Sequence, residues 1–306
     1  NFNYINFACT ACKAGNEILN IGFKQSVSAG KIELESFFID SENIIAAASG
    51  FLDIRSPEKN ILNLFIEVGK ADKISVEKII SIAGIADEVE KFKLPSLDSF
   101  SGTIGIKFNN VNNGATTIQE GNILLGLNYG TLKSLESGLK LNGVLNSDWL
   151  SLTSNLNGNN PDFIGSVNLS GILTEDLISF FLKKEKFEGV KGFSSIGMGF
   201  STRGFLLRDL IKNLNLNIEA KAPQLVVQDF NIDAIAQVLL NENISFKRVT
   251  NTDIIERRFS PSTMALTSTM KFASNEITIE AMELKGSNST NVFVGKLMLE
   301  EKPVLQ

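Results

Sequence analysis

The chain contains no histidine, and only two cysteines, one tryptophan and six prolines in 306 residues. Without an imidazole there is no Ser-His-Asp or Cys-His nucleophilic machinery and no histidine metal ligand, which leaves carboxylate, lysine or thiol chemistry. An enzyme is therefore a minority reading, and no cofactor is implied. The two thiols, Cys9 and Cys12 in "ACTAC", have the spacing of a redox pair. Such a pair opens a helix after a buried strand, whereas these stand at the start of a β-patterned stretch. Two thiols are also too few for a zinc site. The plain reading is two half-buried small residues, bridged where the compartment oxidises.

A surplus of positive charge is missing too. The net charge is −5, and the 29 basic residues are scattered, so nothing forms the electrostatic footprint of a nucleic-acid binder. No apolar run reaches the roughly 18 to 20 residues of a membrane-spanning helix, and no signal peptide is visible. The chain begins at Asn1 rather than methionine. The expectation is a processed form or a piece of something longer, with any anchor outside it.

What is present is period-two alternation. Hydrophobic residues make up 43% of the chain, enough for a sizeable core. Leu62, Leu64, Ile66 and Val68 alternate with Asn63 and Glu67, Leu139 and Leu141 with Lys140 and Asn142, and Leu214, Leu216, Ile218 and Ala220 with Asn215, Asn217 and Glu219. One apolar and one polar face per strand follows. Similar stretches lie near 31–39, 44–54, 103–108, 122–129, 149–156, 164–173, 193–200, 266–272, 276–284 and 291–299, and their spacing is that of an antiparallel meander.

Helical signals are few: 74–92, 174–187 with Thr174 as N-cap, 204–213, and 232–243, which follows the short strand 225–228 through Asp229 and Asp233. Those two acids read as a cap and a solvated first turn rather than a catalytic pair.

The expected fold is thus mainly β with short helices (α+β): a long antiparallel meander curled into an open groove and capped by helices. Two parts are expected, 1–95 as an N-terminal meander with a helix and 96–306 as a second meander. A wide sheet twists and curls, splits or closes. An apolar face left uncovered then invites a greasy ligand.

The stretch "STRGFLLRDLIKNLNLNIEAKAPQLVVQDFNIDAIAQVL" at 201–239 resembles the C-terminal region of AsmA-like proteins. A small-residue start at Ser201 and a helix carrying Leu206, Leu207 and Leu210 lead into the alternating strand at 214–220. The strand at 225–228 and the Ile232-Asp233 turn follow. The next segment, "TMALTSTMKFASNEITIEAMELKGSNSTNVFVGKLMLEEKP", is similar to that family's following hairpins, including the strand with Gly295. The likeness covers roughly 193–302, with Asn213, Gln224 and Gln228 where family members place glycines.

The resemblance implies a periplasmic protein anchored to the inner membrane in its full-length form, related to bridge-like lipid-transfer proteins. Its implied partners are a phospholipid or other acyl-chain lipid, and the bacterial envelope membranes through a segment not present in this chain. The groove lining would then be Leu62, Leu64, Ile66, Leu139, Leu141, Leu214, Leu216 and Ile218. The alternative is a structural or adhesive β-sandwich in which those faces form a closed, ligand-free core.

Overall fold

The computed structural model describes residues 3–14, 17–42, 44–56, 59–72, 97–112, 117–156, 161–175, 189–204, 206–227, 262–273, 276–287 and 289–298. The alternating stretches are strands. In chain order these are β1 (Asn3–Ala14), β2 (Glu17–Ser28), β3 (Lys31–Asp40), β4 (Ile44–Asp53), β5 (Asn60–Asp72), β6 (Phe100–Asn112), β7 (Thr117–Asn128) and β8 (Thr131–Leu141). Then come β9 (Val144–Ser147), β10 (Leu150–Asn155), β11 (Asp162–Leu173), β12 (Val190–Arg203), the short helix α1 (Leu207–Lys212), β13 (Asn215–Val227), β14 (Ser262–Ala273), β15 (Glu276–Lys285) and β16 (Thr290–Met298). Apart from β9, which pairs with β8, the sixteen strands lie in one open sheet in their order along the chain.

Local turn chemistry makes this order cheap. Asn142-Gly143, with φ of 47° and 83°, closes the β8–β9 hairpin, and Tyr129-Gly130, at 45° and 80°, closes β7–β8. Two successive positive φ values suit the right-handed twist of the flanking strands.

Three corrections to the sequence reading follow. β5 and β6 run parallel, not antiparallel. Side-chain alternation is the same in both arrangements, so the pattern does not distinguish them. Residues 73–99 separate the two strands, which leaves room for the return that a parallel pair needs. Residues 225–227 are not a second strand but the end of β13, and Gln224 lies inside that strand rather than at a turn. Burial alternates up to Ala222, slips past exposed Pro223 and Gln224, and resumes with Leu225 pointing inward. β1 and β2 are strands that the alternation alone did not single out, because a bulge between Cys9 and Cys12 interrupts the period in β1. Those cysteines are joined as a disulfide.

Among the described residues the one regular helix is α1, inside the 204–213 expectation. The segments 74–92 and 232–243, with Asp229 and Asp233, lie outside the described residues, as does all but the first turn's start of 174–187. The hydroxyl of Thr174 lies 3.2 Å from Gly192 O and 2.7 Å from Ser194 Oγ, so it serves β12.

Contacts divide the chain into two units: Asn1–Asn168 with Gly199–Leu216, and Leu169–Met198 with Asn217–Gln306. In the second, Ala222, Leu225 and Met264 form a small core, packed by Val190, Val227, Leu266 and Leu284. In the first, the buried apolar residues are spread out, among them Leu19, Ile44, Leu127, Leu139 and Leu141.

Candidate functional site

Residues opposite one another in a ladder share a face, so the registers of the first unit can be followed across the sheet. From β2 to β7 one row reads Phe23, Phe37, Ala48, Ile66, Ile106, Ile123. A parallel row from β3 to β8 reads Ile32, Leu52, Leu62, Gly102, Leu127, Leu132. Val68, Phe108, Gly121 and Leu139 form a third, and Ala71, Val111, Ile118 and Leu141 a fourth. None of these positions is charged. The result is one continuous apolar face across β2 to β8.

The opposite face carries the charged and amide side chains, with exposed Phe38, Ile45, Ile61 and Phe65 among them. Ser26, Glu33, Phe51, Asn63, Thr103 and Gly126 form one of its rows, and Glu67 stands opposite Lys107 and Lys107 opposite Asn122. The side chains there pair with each other: Asn63 Oδ1 accepts from the Thr103 amide and hydroxyl at 3.1 and 2.8 Å, and Asn122 Nδ2 donates to Glu136 at 3.1 Å. At the end of β4, Arg55 Nε donates to Asp53 Oδ1 at 2.9 Å. That bond, with the Arg55 amide and charge, pulls the Asp53 carboxyl down to about 2. The hydrogen bond from Lys296 likewise lowers Glu276.

Two features shape the apolar face. The Phe108 ring lies in the space a Cβ would take at Gly121, 2.1 Å from that position, and the Phe200 ring does the same at Gly165, at 2.6 Å. Glycine at these two places lets an aromatic ring lie down on the neighbouring strand instead of standing up from the sheet. Burial also varies along the strands. Ile44, Leu139 and Leu141 toward one end are buried, as is Leu127 toward the other, while Leu64, Ile66, Ile104, Ile106 and Ile123 between them are half-buried.

Polar groups interrupt the face mainly at β8. Ser137 and Ser134 stand where β9 gives way to β10, and each hydroxyl accepts a backbone amide from across the gap, Leu150 and Leu152 respectively, at 2.9 Å. They replace ladder bonds that the change of partner leaves open. Their side chains are used up by the fold.

The structure brings together five of the residues expected to line a groove, Leu62, Leu64, Ile66, Leu139 and Leu141, on this one face. Leu216 and Ile218 lie on β13, and Leu214 just before it, beyond β10, β11 and β12 in the strand order. There they alternate with exposed Asn215, Asn217 and Glu219 and form the inward side of that strand. The sequence reading passed over Ile104, Ile106, Phe108, Ile123 and Leu125, which fill the centre of the face. Their alternation was visible; their neighbours in space were not.

Among the described residues no three His, Cys, Asp or Glu side chains gather as metal ligands, and no helix is long and apolar enough to cross a membrane. Comparison with protein-family models, curated proteins and solved structures returned no match.

Proposed function

We propose that the chain binds lipid acyl chains along the apolar face of β2 to β8 and takes part in phospholipid transport between bacterial envelope membranes, in the manner of the AsmA-like proteins its 193–302 segment resembles. One observation carries the reading: the face is free of charge over seven strands and its centre is only partly buried. Soluble proteins rarely leave so continuous an apolar surface to water without a partner for it. An acyl chain is a fitting partner, since each methylene buried contributes about 0.8 kcal/mol and demands no hydrogen bond.

Twist across so many strands favours curling, which would turn the face into the wall of an open groove, with short helices as its caps. The site of action on this reading is the periplasm, with anchoring to the inner membrane through a part of the protein outside this chain. The runner-up, an adhesive β-sandwich sealed against itself, asks for two facing sheets. The described strands belong to one.

The test is lipid extraction and native mass spectrometry of freshly purified protein, with titration of a fluorescent fatty-acyl probe. Co-purifying phospholipid, and probe binding weakened by Ile106→Asp in a protein that remains folded, are expected. Clean apo protein that binds no probe would sink the proposal.

A further inference from the structure

We propose that the Cys9–Cys12 disulfide is a redox-sensitive register lock. It holds the bulge that keeps Ile5 and Phe7 on the apolar face, and a dithiol that opens it lets the first part of β1 slip by one residue along β2. Cys9 stands opposite Ile21 and Cys12 opposite Leu19, so Thr10 and Ala11 together oppose Asn20 alone. The extra residue compacts the strand: Ala11 takes the left-handed region at φ 55°, and its amide donates to the Asn20 side chain, Oδ1, at 3.0 Å. The cysteine Cα atoms are 5.9 Å apart, whereas three residues of extended strand span about 10 Å. Cysteines whose Cα atoms are more than about 7 Å apart cannot be bridged. The bond therefore admits only the bulged register.

That register decides which face β1 presents. Phe7 faces Phe23 and Ile5 faces Gln25, which carries the apolar face one strand beyond β2. Removing the bulge while Cys12 stays on Leu19 would set Thr10 against Ile21, Ala8 against Phe23 and Phe7 against Lys24. Because side chains alternate, this slip turns Ile5 and Phe7 to the charged side and brings Asn6 and Ala8 to the apolar one. Each register has its cost: the bulged one holds an alanine left-handed, and the straight one gives up the Phe7–Phe23 pair. The covalent bond removes the choice. Opening it is thiol–disulfide exchange, in which one thiolate of a dithiol attacks a cysteine sulfur and its second thiol resolves the mixed disulfide. Cys9 and Cys12 thereby gain two electrons and two protons, and the dithiol leaves as its own disulfide. Both cysteines are only partly buried. The inference uses register alone and is independent of the lipid reading.

Hydrogen exchange read by mass spectrometry on the full chain, oxidised and after treatment with dithiothreitol, tests it. The peptide from Tyr4 to Cys9 should exchange about tenfold faster once reduced. The bulge of β3, where Glu35 and Ser36 oppose Ser49 without a cross-link, should not change. Cys9→Ser with Cys12→Ser should show the fast exchange without any dithiol. Deleting Ala11 in that background leaves Thr10 alone opposite Asn20, removes the need for a lock and should restore slow exchange. Thermal unfolding verifies that each variant keeps its fold. The proposal is overturned by a disulfide that dithiothreitol does not open in the folded protein, by exchange at Tyr4 to Cys9 indifferent to reduction, or by loosening or unfolding that extends equally to β3. A serine variant as slow as the oxidised wild type, or a deletion that fails to restore protection, overturns it as well.

Discussion

The two faces of β5 to β8 are built from the same strands and differ in charge. On one, Ile66, Ile106 and Ile123 adjoin with no polar group among them; on the other, Glu67, Lys107 and Asn122 adjoin one register step away. On the charged face, polar groups find partners in one another, as Asn63 with Thr103 and Asn122 with Glu136 do. On the apolar face, contact between neighbours on one sheet buries Leu64, Ile66, Ile106 and Ile123 only in part. In the second unit the corresponding need is met locally, where Ala222, Leu225 and Met264 bury one another. In the first, burial is concentrated toward the strand ends. The difference locates the candidate site at the unsatisfied centre.

The largest effect that would sharpen this comparison is expected at Leu139, which is 4% exposed. Leu139→Asp buries a carboxylate without a partner at a cost of several kcal/mol, roughly the whole stability of many domains. Neighbouring Lys140 faces the other way, and Lys140→Asp should change stability by only about 0.5 kcal/mol. Thermal unfolding of both variants checks the pair, and similar losses would break the two-face assignment.

A smaller loss is expected at Gly121. A valine there meets the Phe108 ring and forces it upright, which overpacking of this kind makes cost about 1 to 3 kcal/mol. Acyl-probe affinity should fall with it, whereas Gly143→Ala, at a site with nothing within 4 Å, should leave probe affinity unchanged.

The centre of the face should respond differently from its ends. Ile106→Asp places the charge where water still reaches it, so folding should survive while probe binding drops, and Lys107→Asp on the reverse side should leave binding unchanged. Equal binding loss from both would mean that the probe does not lie on this face. Asn215→Asp, on the exposed side of β13, should shift stability by no more than about 0.5 kcal/mol.

The smallest effect concerns pH. Asp53 has its folded value lowered to about 2 from 3.8, first by the Arg55 side-chain hydrogen bond. Its contribution to stability is therefore complete above 3.8 and lost as pH falls through about 2. Arg55→Ala should return the carboxyl toward its ordinary value in an NMR titration, with little change in thermal stability at neutral pH because the pair is on the surface. An unmoved midpoint would remove Arg55 as the cause.

The sequence by itself determined most of the strands and, for those, their two faces. Period-two alternation is a local property, so Leu62, Leu64 and Ile66, or Leu216 and Ile218, could be assigned to one side of their strands without any partner in view. Tertiary structure alone decided which strands are neighbours. That Ile66 meets Ile106 in parallel, that Ser134 and Ser137 serve a change of partner, and that Phe108 lies on Gly121 depend on register between distant segments. Alternation reads the same in any register that preserves the face, so only the hydrogen-bonded ladder joins separate apolar sides into one surface.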